Sequence, residues 1–221
     1  SYRHRLTIFT PAYKKVGDWQ PDETLIKVER LKPLWAYGNA ACLPQLLFRL
    51  KKFDIVHLHY PFFGTAEIVL LAKWLLGQKL KLILHYHMDA QASGWKGLIF
   101  AAYSRWLLPS LLHLSDAITC ASLDYVKHSQ IGWYFKKHPA KFSQTPFGVD
   151  ILKFKPAGNQ PDNSQTILFV GALDRQHYFK GVDKLLQALA ELKQDLEQVK
   201  LVIVGRGDLQ DYYQAMAQAL D

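Results

Sequence analysis

The 221-residue chain carries 27 Lys and Arg against 19 Asp and Glu, a formal net charge of +8 with His neutral, and it is 49% hydrophobic, 13% aromatic and 21% charged. This composition fits a globular protein of one large domain or one and a half, and it excludes disorder, collagen and coiled coil. Cys42 and Cys120 are the only cysteines, which excludes a disulfide framework or a metal knuckle and points to a reducing compartment. A pI near 9.3 favours anionic partners such as phosphates, nucleic acid or an acidic lipid surface.

Ser1 to Arg5 lead directly into a strand-like run, Leu6 to Thr10, with neither an initiator Met nor a signal peptide, so a fragment or a processed start is expected. Further runs rich in Val, Ile and Leu follow at Asp54 to His59, Lys81 to His87, Ala117 to Cys120, Thr166 to Gly171 and Lys200 to Gly205. Between most of them lie segments of helical periodicity, such as Val182, Leu185, Leu186, Leu189 and Leu192. Strand and helix alternate, so the predicted class is α/β, with parallel sheets covered by helices on both faces. Lys73, Lys79 and Lys81, or Arg105 and Pro109, interrupt the longest apolar stretches before any reaches the length of a spanning helix.

Pro146, Gly148, Pro156, Gly158 and Pro161 break the hydrophobic pattern between Pro146 and Gln165, which marks the domain boundary. Residues 1–148 make one α/β domain. Residues 149–221 hold only two strands, too few to bury both faces of a sheet, so the second domain is expected to be truncated.

His57 and His59 end one predicted strand, and His85 and His87 end another. A spacing of two puts each pair on one face. On neighbouring strands the four imidazoles, with Asp89, would gather at the carboxyl edge, where open α/β sheets bind ligands. Three readings stay open: hydrogen-bonded core histidines, acid/base or substrate-binding residues, and a metal site.

Phe169 to Asp183 reads as a strand, a turn at Gly171 and a helix starting near Phe179, with Arg175 and Lys180 beside the helix N-terminus. That is a diphosphate cradle or a solvated turn with two surface cations. In Val204-Gly-Arg-Gly-Asp208, Gly205 and Gly207 would let a planar ligand approach the backbone, with Asp208 as an N-cap, or they form a tight turn. Trp133 to His138 and the helical stretch Trp95 to Trp106 mix aromatic and basic residues, which suits an anionic membrane surface or an ordinary core-facing helix. No nucleic-acid-binding motif accompanies the charge.

Taken together these segments resemble the retaining glycosyltransferases of family 4, which have the GT-B fold of two Rossmann-like domains facing each other across a cleft. Phe53-Asp-Ile-Val-His-Leu-His-Tyr-Pro-Phe62 resembles the family's D-x-x-H-x-H-x-P strand and loop, and Leu84-His-Tyr-His-Met-Asp89 its T-x-H-x-D. Thr119-Cys-Ala-Ser122 resembles a strand end of the family, and Pro146 to Pro156 is similar to its P-x-G-V-D-x-x-x-F-x-P at the domain junction. Phe169 to Asp183 and Leu201 to Gly207 fall on two further motifs, in order and with consistent spacing.

The resemblance implies that a nucleotide-sugar donor passes its sugar, with retention, to a cell-surface polysaccharide or glycolipid-type acceptor. It implies a catalytic role near the reacting sugar for His87, donor diphosphate binding by Arg175 and Lys180, and nucleotide binding beside Gly205 and Gly207. His59 and Asp89 would lie on the acceptor side of the cleft. No metal and no cofactor are implied, because the nucleotide-sugar is a substrate. The expected setting is cytoplasmic, with peripheral contact at an anionic inner membrane face and no nucleic acid.

This chain departs from the pattern at Ala172, where the family usually has Arg, and Arg175 is the candidate substitute. The first glycine loop of the family and its glutamate-bearing donor segment have no counterpart in these residues, so the chain alone is expected to be inactive. Two other readings remain, a metal-dependent hydrolase built on His57, His59, His85, His87 and Asp89, and a non-catalytic nucleotide- or sugar-binding module.

Overall fold

In chain order the elements of the computed structural model are β1 (Leu6–Pro11), β2 (Ile26–Leu31), the two-residue strands β3 (Ala36–Tyr37) and β4 (Ala40–Ala41), α1 (Leu46–Arg49), β5 (Ile55–Tyr60) and α2 (Ala66–Leu76). There follow β6 (Lys81–Tyr86), α3 (Gly94–Leu114), β7 (Ala117–Cys120), α4 (Leu123–His128), α5 (Gly132–Lys137) and β8 (Phe142–Gln144). The last are β9 (Thr166–Val170), α6 (Val182–Leu192), β10 (Lys200–Val204) and α7 (Gln210–Leu220). The structure describes residues 4–12, 26–38, 40–90, 94–156 and 165–220. It divides into two compact units, Ser1–Val149 and Asp150–Asp221.

In the first unit, β5, β6, β7 and β8 form one parallel sheet in that order, and β1 pairs parallel with β2. Strand β2 is not among the runs expected from the sequence, because its apolar Ile26, Val28 and Leu31 are separated by Lys27, Glu29 and Arg30. Phe9 of β1 meets Phe53 edge to face with ring centroids 5.6 Å apart.

The expected cover of helices on both faces is corrected for the four-stranded sheet: among the described residues its helices pack on one face. Along β5, Leu58 and Tyr60 are buried while Ile55, His57 and His59 are exposed. Consecutive strands joined by crossovers of one hand carry all their helices on the same side. The apolar face packs Leu58, Leu82, Leu84 and Ile118 against Val69, Leu108, Leu111 and Leu112 in a single core. Cys120 is buried and Cys42 half-buried, both as free thiols.

One ion pair sits inside this unit. Lys73 of α2 is 4% exposed and its Nζ donates to Leu80 O at 2.8 Å and to Asp116 Oδ2 at 2.7 Å. Asp116 also accepts from Leu82 N at 2.8 Å and from Lys81 Nζ at 3.1 Å. Burial opposes the charge on Asp116, but the Lys73, Leu82 and Lys81 hydrogen bonds outweigh it and hold the carboxyl down at about 2.

The second unit is a parallel β9–β10 ribbon. Leu173, Val182, Leu186 and Tyr213 form its buried cluster, with Phe169, Leu201 and Ile203 packed on it. The opposite ribbon face leaves Leu168 and Val170 exposed beside Val202 and Val204. Alternation along two strands makes one face core and one face bare.

Candidate active site

In the first unit, parallel pairing in register sets the histidine cluster. His59 of β5 lies opposite His85 of β6, and His57 and His87, two residues away on their strands, come to the same edge. All four imidazoles meet, with ring centroids of neighbours between 4.5 Å (His85 and His87) and 5.8 Å (His57 and His85). His59 Nδ1 and His87 Nε2 are 2.7 Å apart, so one of them carries the proton they share. His85 Nδ1 is 2.8 Å from Thr119 Oγ1, which lies 3.5 Å from His57 Nε2.

Thr119 and Phe147 join this cluster, although residue type and spacing do not mark either as a site residue. Phe147, in the loop after β8, stacks on His87 at 5.7 Å and 12° and lies 5.8 Å from His85. The usable signal is position, since Thr119 stands at the end of β7 and Phe147 follows Pro146 in the junction motif.

Desolvation holds all four histidines below their ordinary range, and the neighbouring imidazoles add to it for His57, His85 and His87. His87 is lowered most, to about 4. At neutral pH the imidazoles are therefore uncharged, able to donate or accept hydrogen bonds but not to act as cations. The Nε2 of His85, a residue 4% exposed, has no hydrogen-bond partner among the described residues.

Asp89 does not join the imidazoles. Its carboxylate takes the Tyr86 hydroxyl and the Gln130 N–H, the latter at 3.1 Å to Oδ1, and its own N–H donates to Tyr125 Oη at 2.9 Å. It anchors the segment after His87. Ser122, whose side chain accepts from Tyr125 N at 3.2 Å, caps α4 on the same side of the sheet edge.

Among the described residues no group of three or more His, Cys, Asp or Glu is arranged to hold a metal ion. The imidazoles cluster along the edge, where His59 and His87 turn one nitrogen each toward the other, and His57 and His85 one each toward Thr119. That geometry does not supply the ligand set of the hydrolase reading.

A separate group of candidate residues stands in the other unit, at the carboxyl ends of β9 and β10. The expected helix start near Phe179 is corrected: residues Arg175–Lys180 form a 3-10 segment, Gly181 takes a left-handed conformation at φ 69°, and α6 begins at Val182. With glycine as its N-cap, α6 has no side-chain cap bond, so its first N–H groups keep their partial positive charge available.

Lys180 Nζ folds back to 3.1 Å from where a Cβ on Gly171 would stand, which puts its charge over the end of β9. Arg175 behaves differently. Its N–H donates to Asp208 Oδ1 at 3.0 Å, and its Nε lies 3.5 Å from Asp208 Oδ2, with the side chain 81% exposed. Asp208 therefore serves Arg175 and stands two residues before the start of α7, instead of capping it.

Gly205 and Gly207 are required by close packing of two loops. A Cβ on Gly205 would stand 1.9 Å from Gly171 O, and one on Gly207 would stand 2.1 Å from Leu173 C. The Leu173 N–H reaches Arg206 O at 2.9 Å, and Leu209 N reaches Leu173 O at 2.9 Å. The faces a Cβ would take are thus filled by backbone of this chain.

Comparison with known proteins follows the same division. The family model described as Glycosyltransferase Family 4 matches residues 2–151, and that described as Glycosyl transferases group 1 matches residues 150–221. The chain is 27% identical over 219 residues to the phosphatidyl-myo-inositol mannosyltransferase of Mycolicibacterium smegmatis, covering 93% of this chain and 51% of that protein. It is 26% identical over 171 residues to a phosphatidylinositol N-acetylglucosaminyltransferase subunit from Arabidopsis thaliana, covering 77% of this chain and 36% of that one. The chain thus spans about half, or less, of the length of these relatives.

Among solved structures, an S. aureus TarM mutant in complex with fondaparinux, alpha-GlcNAc-glycerol and UDP superposes with a TM-score of 0.50 at 12% identity, over 79% of this chain and 33% of that one. It supports the GT-B fold. With paired histidines on adjacent parallel strands and a family match over more than half of its residues, the chain belongs to glycosyltransferase family 4.

Proposed function

We propose that the protein transfers a hexose from a nucleotide-sugar donor to a glycolipid or cell-surface polysaccharide acceptor, with retention of configuration. The observation that carries this reading is the neutral His87, held 2.7 Å from His59 at the carboxyl edge of the sheet. An uncharged imidazole fixed in one orientation hydrogen-bonds a sugar hydroxyl without adding a positive charge beside a developing oxocarbenium ion. Family membership and the names of the relatives, one a mannosyltransferase and one from an N-acetylglucosaminyltransferase, support hexosyl transfer.

In the transfer the bond between the sugar C1 and the phosphate oxygen breaks, and the acceptor oxygen bonds to C1. The acceptor proton passes to the departing phosphate, whose charge Lys180, Arg175 and the open N-terminus of α6 stabilise. Gly205 and Gly207 border the nucleotide, while His59 and Asp89 lie on the acceptor side. This chemistry asks for no cofactor and no metal. A cytoplasmic enzyme working peripherally at the inner membrane face fits a lipid-linked acceptor.

The test is made in the full-length protein. His87→Ala is expected to lower kcat by about a hundredfold while donor Kd changes little. An equal loss in both would make His87 a purely structural residue, and transfer undiminished by the substitution would remove it from the site.

A further inference from the structure

Phe147 stands in the loop after β8, at a place that the sheet dictates. Gln144 of β8 pairs with Cys120 of β7, and the next residue continues the ladder, Thr145 N donating to Cys120 O at 2.8 Å. Pro146 follows, and its pyrrolidine ring fixes a backbone angle between that anchor and Phe147. The phenyl ring is thereby set down on the histidines, nearly parallel to His87 at 12° with centroids 5.7 Å apart, and tilted against His85 at 5.8 Å. Core packing does not account for this placement. Phe147 is 66% exposed and is not among the residues of the buried core of the first unit, so resting on the imidazoles hides little apolar surface.

The effect falls on His87. Its ring runs nearly parallel to two others, His59 at 25° with centroids 5.0 Å apart and Phe147 at 12°, while its Nε2 is held 2.7 Å from His59 Nδ1. Two torsions set the direction of an imidazole, and two flat neighbours restrict both. The groups that face it are His57 and His59 from β5 and His85 from its own strand, with Thr119 of β7 bonded to His85. The nearest acid in sequence, Asp89, is turned to Tyr86 and Gln130. No carboxylate is thus supplied to favour protonation, and a phenyl face stands where water would. Of the four histidines, the one parallel to Phe147 is lowered most, with desolvation as the largest cause.

We propose that Phe147 is a positioning residue for His87: its phenyl face seats the imidazole in the orientation that the His59 hydrogen bond requires and keeps water from that side of the ring. The inference deepens the role given to His87 above and rests on it. It adds a residue from a separate stretch of chain, and it asks for a flat aromatic face, because a branched aliphatic side chain of similar bulk cannot lie along an imidazole.

The test is a titration of the His87 side chain by NMR in the full-length protein labelled at histidine, with the signal assigned by its loss in His87→Gln, together with transfer kinetics. In Phe147→Ala the midpoint is expected to rise by about one pH unit toward the ordinary histidine range. In the same variant kcat is expected to fall about tenfold at unchanged donor KM, with an unchanged circular dichroism spectrum. Phe147→Tyr is expected to restore both, and Phe147→Leu neither. A midpoint that does not move in Phe147→Ala overturns the inference. So does a Leu variant that titrates and turns over like the wild type, which would leave apolar bulk alone responsible. The titration uses neither donor nor acceptor, so a shifted midpoint in Phe147→Ala alongside transfer undiminished by His87→Ala would bear out the ring seat and overturn the function proposed above.

Discussion

The two units solve the same packing problem with unequal means. In the first, four parallel strands and their helices bury a continuous core, and the histidines stand on strand ends whose positions the pairing register dictates. In the second, two strands carry a cluster of four buried residues, and the cations stand on a loop held by its fit against a second loop. A site on strands tolerates change around it because hydrogen-bonded pairing fixes each residue. A site on interlocked loops depends on a few contacts that admit no added atom.

The sharpest way to break this contrast is Gly207→Val. Its Cβ would collide with Leu173, the residue that links the loops to the small core. The expected cost exceeds about 4 kcal/mol, enough to abolish a separate calorimetric transition of the second unit while the first melts as before. A single unchanged transition would show that the loops separate easily.

Next in size is Asp116→Ala, which leaves the Lys73 ammonium buried without its partner. A loss of about 3 kcal/mol is expected in urea unfolding of the first unit, largely recovered by adding Lys73→Met.

Donor binding comes third. Lys180→Ala should weaken nucleoside diphosphate binding by about 1 to 3 kcal/mol in calorimetric titration of the full-length protein. Arg175→Ala should cost less, because Asp208 already engages its guanidinium, and Asp208→Asn should tighten binding. Unchanged affinity in both cation variants would remove the cradle. The smallest effect is Ser122→Ala, about 1 kcal/mol from the lost cap of α4, read as a lower melting temperature of the first unit.

Acidification separates the units without substitution. Because the folded-state values of His57, His59, His85 and His87 lie below 6.5, the unfolded chain binds more protons as pH falls from about 6.5 toward 4. The histidines' contribution is complete above 6.5 and is lost through that window, so the first unit should weaken, and less so in His87→Gln. The contribution of Asp116 persists to lower pH, going only as its carboxyl titrates between its ordinary value and about 2. A flat denaturation midpoint between pH 7 and 4 would contradict the desolvation of the histidines.

Much of this was legible in residue order. Apolar runs gave six of the strands, and the two-residue spacing of the histidine pairs gave their shared face. The glycines of Val204 to Asp208 pointed only to a planar ligand or a tight turn, and their packing against the backbone of Gly171 and Leu173 was not foreseen. Three features were not legible for a common reason. The one-sided cover of the β5 to β8 sheet depends on which strands are neighbours and on the side their crossovers take. The role of Asp208 depends on a partner 33 residues away. The turning of Asp89 away from the imidazoles depends on Tyr86 and Gln130 offering nearer hydrogen bonds.

The sequence by itself determined the α/β class, the family and the residue types that gather at the strand ends, because periodicity and motif spacing are local properties of the chain. Only the tertiary structure decided that four imidazoles cluster with lowered basicity, with Phe147 stacked on His87, that Lys180 and not Arg175 is the less engaged cation, and that α2 and α3 turn a tryptophan-rich face outward. Each of those depends on distances between residues remote in the chain, which packing and desolvation set and residue order does not.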